Sequence, residues 1–116
     1  MKKVYVFAGM AILSLLLSYC SSSKKATASV PNATYATTLA PVIADKCAPC
    51  HFPSKGGNKK AYDNYANVKT DIDEIIRRLE LNPTDKGFMP FKKPHQLTAD
   101  TLAMFKKFKA DGALEN

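Results

Sequence analysis

The sequence lacks the patterns that predict a β-sheet or a structural zinc site. No segment of useful length alternates apolar and polar residues, so we predict a mainly helical, all-α fold. The 116 residues include only three cysteines and two histidines. A structural zinc site takes four ligands, and one of the two histidines, His95, lies far downstream of the other candidate ligands. The sequence therefore disfavours a zinc-stabilised domain.

A motif for binding nucleic acid is also missing, although the chain is basic. Lysine and arginine number 17 against 10 acidic residues, which gives a formal net charge of +7. No basic segment carries the interleaved aromatic residues that stack on bases, so we expect no nucleic-acid partner. An excess of positive charge can steer an acidic protein partner or attract anionic lipid headgroups. The composition does not decide between these two partners.

The N-terminal segment has the features of an export signal. The chain begins with a basic Met-Lys-Lys and continues with an apolar run over residues 4–17, which is too short to span a membrane comfortably. The Leu-Ser-Tyr-Cys segment that ends at Cys20 resembles the lipobox of bacterial lipoproteins, whose cysteine is lipidated and becomes the first residue. We therefore predict a signal peptide over residues 1–19 and a lipid on Cys20. The alternatives are cleavage nearby, which would leave Cys20 as a free thiol, and an uncleaved anchor.

Residues 20–33 are predicted to form a flexible tether, because they are rich in serine, alanine, threonine and lysine and have no apolar period. The remaining residues, 34–116, are predicted to form one small domain. A domain of this size buries little apolar surface and is marginally stable without a covalent or ligand-based staple.

Two thiols and an imidazole lie within five residues in the motif Cys47-Ala48-Pro49-Cys50-His51. Its C-x-x-C-H spacing is typical of covalent haem attachment. One turn of backbone presents both thiols to the two vinyl groups of a porphyrin, and the next residue supplies an imidazole for the iron. A disulfide or a thioredoxin-like redox motif is the alternative, but neither requires His51 and no βαβ pattern accompanies the motif. We predict one haem c held by Cys47 and Cys50, with His51 as the proximal ligand.

A second motif, Gly87-Phe88-Met89-Pro90, resembles the loop by which class I cytochromes c bring a methionine to the other face of the iron. The two motifs also follow the order that this family uses. The predicted domain therefore resembles a monohaem cytochrome c domain, and the resemblance implies that Met89 is the distal iron ligand. His95, six residues further along, is the competing ligand.

Three helices are predicted around these motifs. A short helix precedes the cysteine motif and tolerates Pro41 in its first turn or at a kink. An amphipathic helix covers about residues 62–81 and is ended by Asn82-Pro83. A terminal helix covers residues 99–110, with Thr98 as its N-cap. The resemblance implies that these helices form a small cytochrome c-like domain wrapped around a single covalent haem.

The resemblance implies an electron-transfer protein rather than an enzyme, because iron with both axial positions filled has no open site for a substrate. The expected location is the periplasmic side of a bacterial membrane, with a lipid anchor on Cys20 and redox proteins as partners. Two other functions remain open from the sequence. One is a five-coordinate haem gas sensor or peroxidase-like protein in which Met89 is unbound, and the other is a haem-free exported module with a Cys47–Cys50 disulfide.

Overall fold

The computed structural model describes residues 31–91 and 97–116, and this part of the chain is helical. Its elements are a π-helical segment (Tyr35–Leu39), helix α1 (Ala40–Lys46), a 3₁₀ turn (Pro53–Lys55), helix α2 (Tyr65–Glu80) and helix α3 (Ala99–Ala110). No strand longer than an isolated bridge occurs within these residues. The predicted all-α fold is confirmed for the part of the chain that is described.

The short helix before the cysteine motif begins as a π-helical segment that continues directly into α1. The Thr34 side chain caps this segment by accepting a hydrogen bond from the Thr37 backbone N–H. Pro41 lies in the first turn of α1 and, having no N–H, donates no hydrogen bond to the π-helical segment before it. Leu39 and Ile43 are almost completely buried, so this segment is fixed by packing despite its short length.

Helix α2 begins later than the apolar spacing predicts. The Asn64 side chain accepts a hydrogen bond of 3.0 Å from the Asn67 N–H and caps the helix, which places Tyr62 before the first turn. The buried face follows the predicted spacing of three and four residues and consists of Val68, Ile72, Ile75 and Leu79. The helix ends at Glu80, before the predicted Asn82-Pro83 breaker.

Helix α3 has the predicted bounds and the predicted cap. The Thr98 hydroxyl accepts a hydrogen bond of 3.2 Å from the Thr101 N–H. Phe105 and Phe108 are completely buried and lie against the cluster formed by α2 and the π-helical segment. Gly112 follows the helix with a φ of +94°, a left-handed conformation that glycine adopts without steric cost.

The two ends of the described part are joined by backbone hydrogen bonds. The Tyr35 N–H donates to the Leu114 carbonyl at 2.9 Å, and the Ala36 N–H donates to the Glu115 carbonyl at 3.0 Å. The Ala33 N–H donates to the Asp111 carboxylate at 2.7 Å, and Ala33 itself is buried. Packing therefore extends to Ala33, the last residue of the predicted tether.

Several predictions fall on residues outside the described part. These are the signal peptide over residues 1–19, the lipid on Cys20, nearly all of the tether and the competing ligand His95. Of the helices that are described, none combines the length and the apolar character needed to cross a membrane.

Candidate haem-binding site

The cysteine motif forms one turn at the end of α1. The Cys47 N–H donates to the Ile43 carbonyl at 2.9 Å, and the His51 N–H donates to the Cys47 carbonyl at 3.1 Å. Cys47 is half-buried and Cys50 is exposed, and both are free thiols. Burial raises the pKa of the Cys47 thiol to about 11, so this side chain is protonated at neutral pH. A single turn thus carries the two thiols and the imidazole, as the spacing predicts.

The loop after the motif holds this turn in place through its backbone. The Lys59 N–H donates to the Cys50 carbonyl at 3.0 Å, and the Gly57 N–H donates to the Phe52 carbonyl at 3.0 Å. A β-carbon on Gly57 would overlap the carbonyl oxygens of Pro49 and Cys50. The close approach of the loop to the cysteine turn therefore requires glycine at this position.

The His51 ring is oriented by two neighbours. Its Nδ1 lies 2.7 Å from the Lys60 carbonyl oxygen, and its plane stacks on the Tyr62 ring at a centroid distance of 4.4 Å and an angle of 9°. A carbonyl oxygen can only accept, so Nδ1 must carry the proton in this contact. In the neutral ring, Nε2 then keeps its lone pair, which is the state that a metal-binding histidine requires.

Both neighbours of the His51 ring are connected to α2 by the same side chain. The Tyr62 hydroxyl donates to one carboxylate oxygen of Asp71 at 3.1 Å, and the Lys60 ammonium donates to the other at 2.8 Å. Burial raises the pKa of Tyr62 to about 12, and the hydrogen bond to Asp71 contributes to the rise. The apolar spacing predicts Tyr62 as the first residue of the amphipathic helix, and no pattern in the sequence marks Lys60 or Asp71.

The methionine loop lies at the C-terminal end of α2. Gly87 has a φ of +95°, and Phe88 next to it is buried. The Met89 N–H donates to the Arg78 carbonyl at 3.3 Å, and the Met89 side chain is partly buried against the hydrophobic core. The loop is thus attached to α2 through the Met89 backbone, and the Met89 side chain does not extend into solvent.

Arg78 connects the methionine loop with the surroundings of His51. Its guanidinium Nη1 lies 3.9 Å from the position that a β-carbon on Gly87 would occupy. Its positive charge lowers the pKa of the Tyr62 phenol, whereas the Cys47 side chain raises that pKa. Cys47, Tyr62 and Met89 furthermore pack against one continuous core. Both predicted motifs therefore have a side chain that packs against the same hydrophobic core.

The donor set suits haem c. The described residues supply two thiols on one turn, an imidazole with a free Nε2 and a partly buried thioether, which are the attachment and axial groups of a c-type haem with histidine and methionine ligands. Within the same residues, no group of three or more histidine, cysteine or acidic side chains is arranged to hold a metal ion.

A cavity of about 440 Å³ lies elsewhere, between the π-helical segment and α3. Its lining includes Thr37, Asp100 and Met104, and none of the predicted site residues takes part. The cavity is therefore separate from the candidate haem site.

No family model matches this chain, and no match is found among the curated proteins or the solved structures. The resemblance to cytochromes c therefore depends on the two sequence motifs alone.

Proposed function

We propose that this chain is an electron-transfer protein that carries one electron at a time on a covalently attached haem c. The observation that supports this proposal most directly is the contact between the His51 Nδ1 and the Lys60 carbonyl oxygen at 2.7 Å. In the neutral ring, this contact leaves Nε2 with a free lone pair. His51 also lies on the turn that carries both thiols. An ordinary surface histidine has no need of a fixed tautomer.

Four residues of the chain would hold the haem. The thiols of Cys47 and Cys50 would add across the two vinyl groups, so that each sulfur bonds to a vinyl carbon and the thiol hydrogen passes to the other carbon without an oxidant. His51 Nε2 and the Met89 sulfur would be the axial ligands. When bound, the haem would supply a reversible one-electron couple, and a methionine ligand favours the ferrous state and raises the potential.

The remaining residues support binding and electron transfer rather than catalysis. Phe88, which is buried beside Met89, keeps water from the methionine side of the site. Lys55 and Lys59 are exposed on the loop after the cysteine turn, and their charge would steer an acidic redox partner toward it. We assign no enzymatic reaction to the chain, because two axial ligands leave the iron without an open position.

The proposed location is the periplasmic side of a bacterial membrane. This part of the proposal rests on the sequence of the N-terminal segment, where a basic start and an apolar run precede Cys20. A lipid on Cys20 would anchor the mature chain, and the tether would allow the domain to reach redox partners near the membrane surface.

The decisive experiment is production of the full chain in a bacterial host that matures c-type cytochromes. We expect a band that stains for haem on a denaturing gel, a Soret peak and a mass increase of one haem. The double variant Cys47→Ser/Cys50→Ser should lose the stain, whereas Cys20→Ser should keep it because that thiol lies outside the motif. A wild-type chain with no haem stain and no Soret peak would overturn the proposal.

A further inference from the structure

Asp71 is the residue on which both supports of the His51 ring converge. One of its carboxylate oxygens accepts from the Tyr62 hydroxyl at 3.1 Å, and the other accepts from the Lys60 ammonium at 2.8 Å. Tyr62 in turn stacks on the His51 ring, and the Lys60 carbonyl receives the His51 Nδ1–H. The two residues that contact the His51 ring thus both donate a side-chain hydrogen bond to one carboxylate.

The position of Asp71 makes this arrangement rigid. It lies within the second turn of α2, at the edge of the face that is buried through Val68 and Ile72, so its backbone is fixed by the core. Its side chain is only 21% exposed, which limits the exchange of its partners for water. The segment that holds Lys60 and Tyr62 has no helical hydrogen bonds of its own and therefore takes its position from contacts such as these.

We propose that Asp71 is a positioning residue that fixes the plane and the tautomer of His51 and thereby tunes its strength as a haem ligand. This inference rests on the proposed function, since it concerns the same histidine. Asp71 acts through Lys60 and Tyr62 and has no recorded contact with His51 itself.

The physical consequence follows from the Nδ1–H bond. A histidine that donates a hydrogen bond from Nδ1 is a more basic ligand through Nε2, and a more basic ligand favours ferric iron. The Lys59 N–H bond to the Cys50 carbonyl and the Tyr62 N–H bond to the His51 carbonyl hold the backbone on either side of Lys60, and the contacts with Asp71 add a restraint from the side chains. Without Asp71, the Lys60 carbonyl and the Tyr62 ring are held less firmly, and the Nδ1–H bond weakens. The reduction potential should then rise, and the ring should lose its single orientation.

Asp71→Asn tests this in the haem-loaded protein. In asparagine an NH₂ group replaces one of the two carboxylate oxygens, so one of the two donors loses the oxygen that accepts from it. We expect a higher reduction potential and an altered pattern of haem-methyl shifts in the ferric NMR spectrum, because that pattern reports the orientation of the axial imidazole. The control is Asp73→Asn, which removes the same charge from the same helix but from an exposed ion pair with Lys109. Equal effects of the two variants on potential and methyl shifts would overturn the proposal.

Lys60→Met separates positioning from charge by the sign of the change in reduction potential. The substitution keeps the backbone carbonyl, and the methionine side chain has no donor for Asp71. Loss of a positive charge alone would favour ferric iron and lower the potential, whereas a looser Lys60 carbonyl should raise it. A rise, accompanied by methyl shifts like those of Asp71→Asn, supports the inference, and a fall with unchanged methyl shifts overturns it.

Failure of the proposed function can be distinguished from failure of this inference. If the wild-type chain carries no haem, the proposed function is wrong, and the inference is then tested on the haem-free chain by the ¹⁵N spectrum of the His51 imidazole. A proton fixed on Nδ1 in the wild type and redistributed toward Nε2 in Asp71→Asn would support it. The same tautomer populations in both chains would overturn it.

Discussion

Gly57 lies so close to the carbonyl oxygen of Pro49 that no β-carbon fits between them. The contact presses the loop after the cysteine motif against the turn that carries both thiols, and it is made by backbone on both sides. It explains why a glycine is needed seven residues after Cys50, at a position where the dihedral angles themselves do not demand one.

Gly57→Ala should therefore destabilise the protein and reduce haem attachment. Overpacking of this kind costs about 1–3 kcal/mol, because the clash is with backbone and not with the end of a flexible side chain. The free energy of unfolding in denaturant and the haem content per chain are the measurements. Gly56→Ala is the matched control, since that glycine has open space around it and carries only the cost of its φ of +78°, about 1–2 kcal/mol. Equal haem content in the two variants would contradict this prediction.

Met89→Ala should remove the distal ligand. We expect the ferric protein to lose the weak absorption band in the far red that reports an iron–methionine bond, and we expect its potential to fall as a weaker or harder ligand replaces the thioether. His95→Ala is the control and should leave both properties unchanged. Loss of the low-spin spectrum in His95→Ala, with Met89→Ala unaffected, would instead assign the ligand to His95.

Carbon monoxide should bind slowly or not at all to the unmodified ferrous protein. The Met89 backbone is held by the Arg78 carbonyl and its side chain is packed against the core, so the ligand does not leave easily. Stopped-flow spectroscopy gives the binding rate, and Met89→Ala should bind carbon monoxide far faster. Rapid binding by the wild type would favour the five-coordinate sensor or peroxidase-like alternative.

The stability of the domain should depend on pH through Asp111. Its hydrogen bonds with the Lys107 ammonium and the Ala33 N–H hold the pKa of this carboxyl below its ordinary value of 3.8. A carboxyl whose pKa is depressed by folding stabilises the folded state above its unfolded pKa, and this contribution is lost as the pH falls through the folded pKa. Wild type should therefore be more stable than Asp111→Asn at neutral pH, and the difference should shrink in acid below about pH 4.

Urea unfolding of both chains between pH 7 and pH 2.5 measures that difference. Lys107→Met serves as an intermediate case, because it removes the ion pair and keeps the hydrogen bond from the Ala33 N–H. A difference between wild type and Asp111→Asn that stays constant over the whole range would show that the carboxylate charge makes no contribution.

The sequence predicted those parts of the fold that depend on local signals. The bounds of α3 follow from Thr98 as a cap and from Phe105 and Phe108 as a buried face, and the structure confirms them. The cysteine turn could also be predicted, because the spacing itself requires one turn of backbone. The end of α2 before Asn82-Pro83 could likewise be predicted from a local signal.

The surroundings of His51 could not be predicted in the same way. Tyr62 continues the three-and-four spacing of α2, and only the capping side chain of Asn64 separates it from the helix. The Lys60 carbonyl is a backbone group, so no side-chain pattern marks it as a hydrogen-bond acceptor. The hydrogen bond between Tyr62 and Asp71 joins a residue of the loop to a residue of α2, and no local pattern in the sequence predicts this contact.

The hydrogen bond between the Tyr35 N–H and the Leu114 carbonyl places the first and last described segments side by side. A short peptide linker that joins these ends would consequently close the domain into a ring without stretching the backbone. New termini opened in the exposed 3₁₀ turn at Pro53–Lys55 would then give a circularly permuted chain in which the order of the helices is changed and their packing is not.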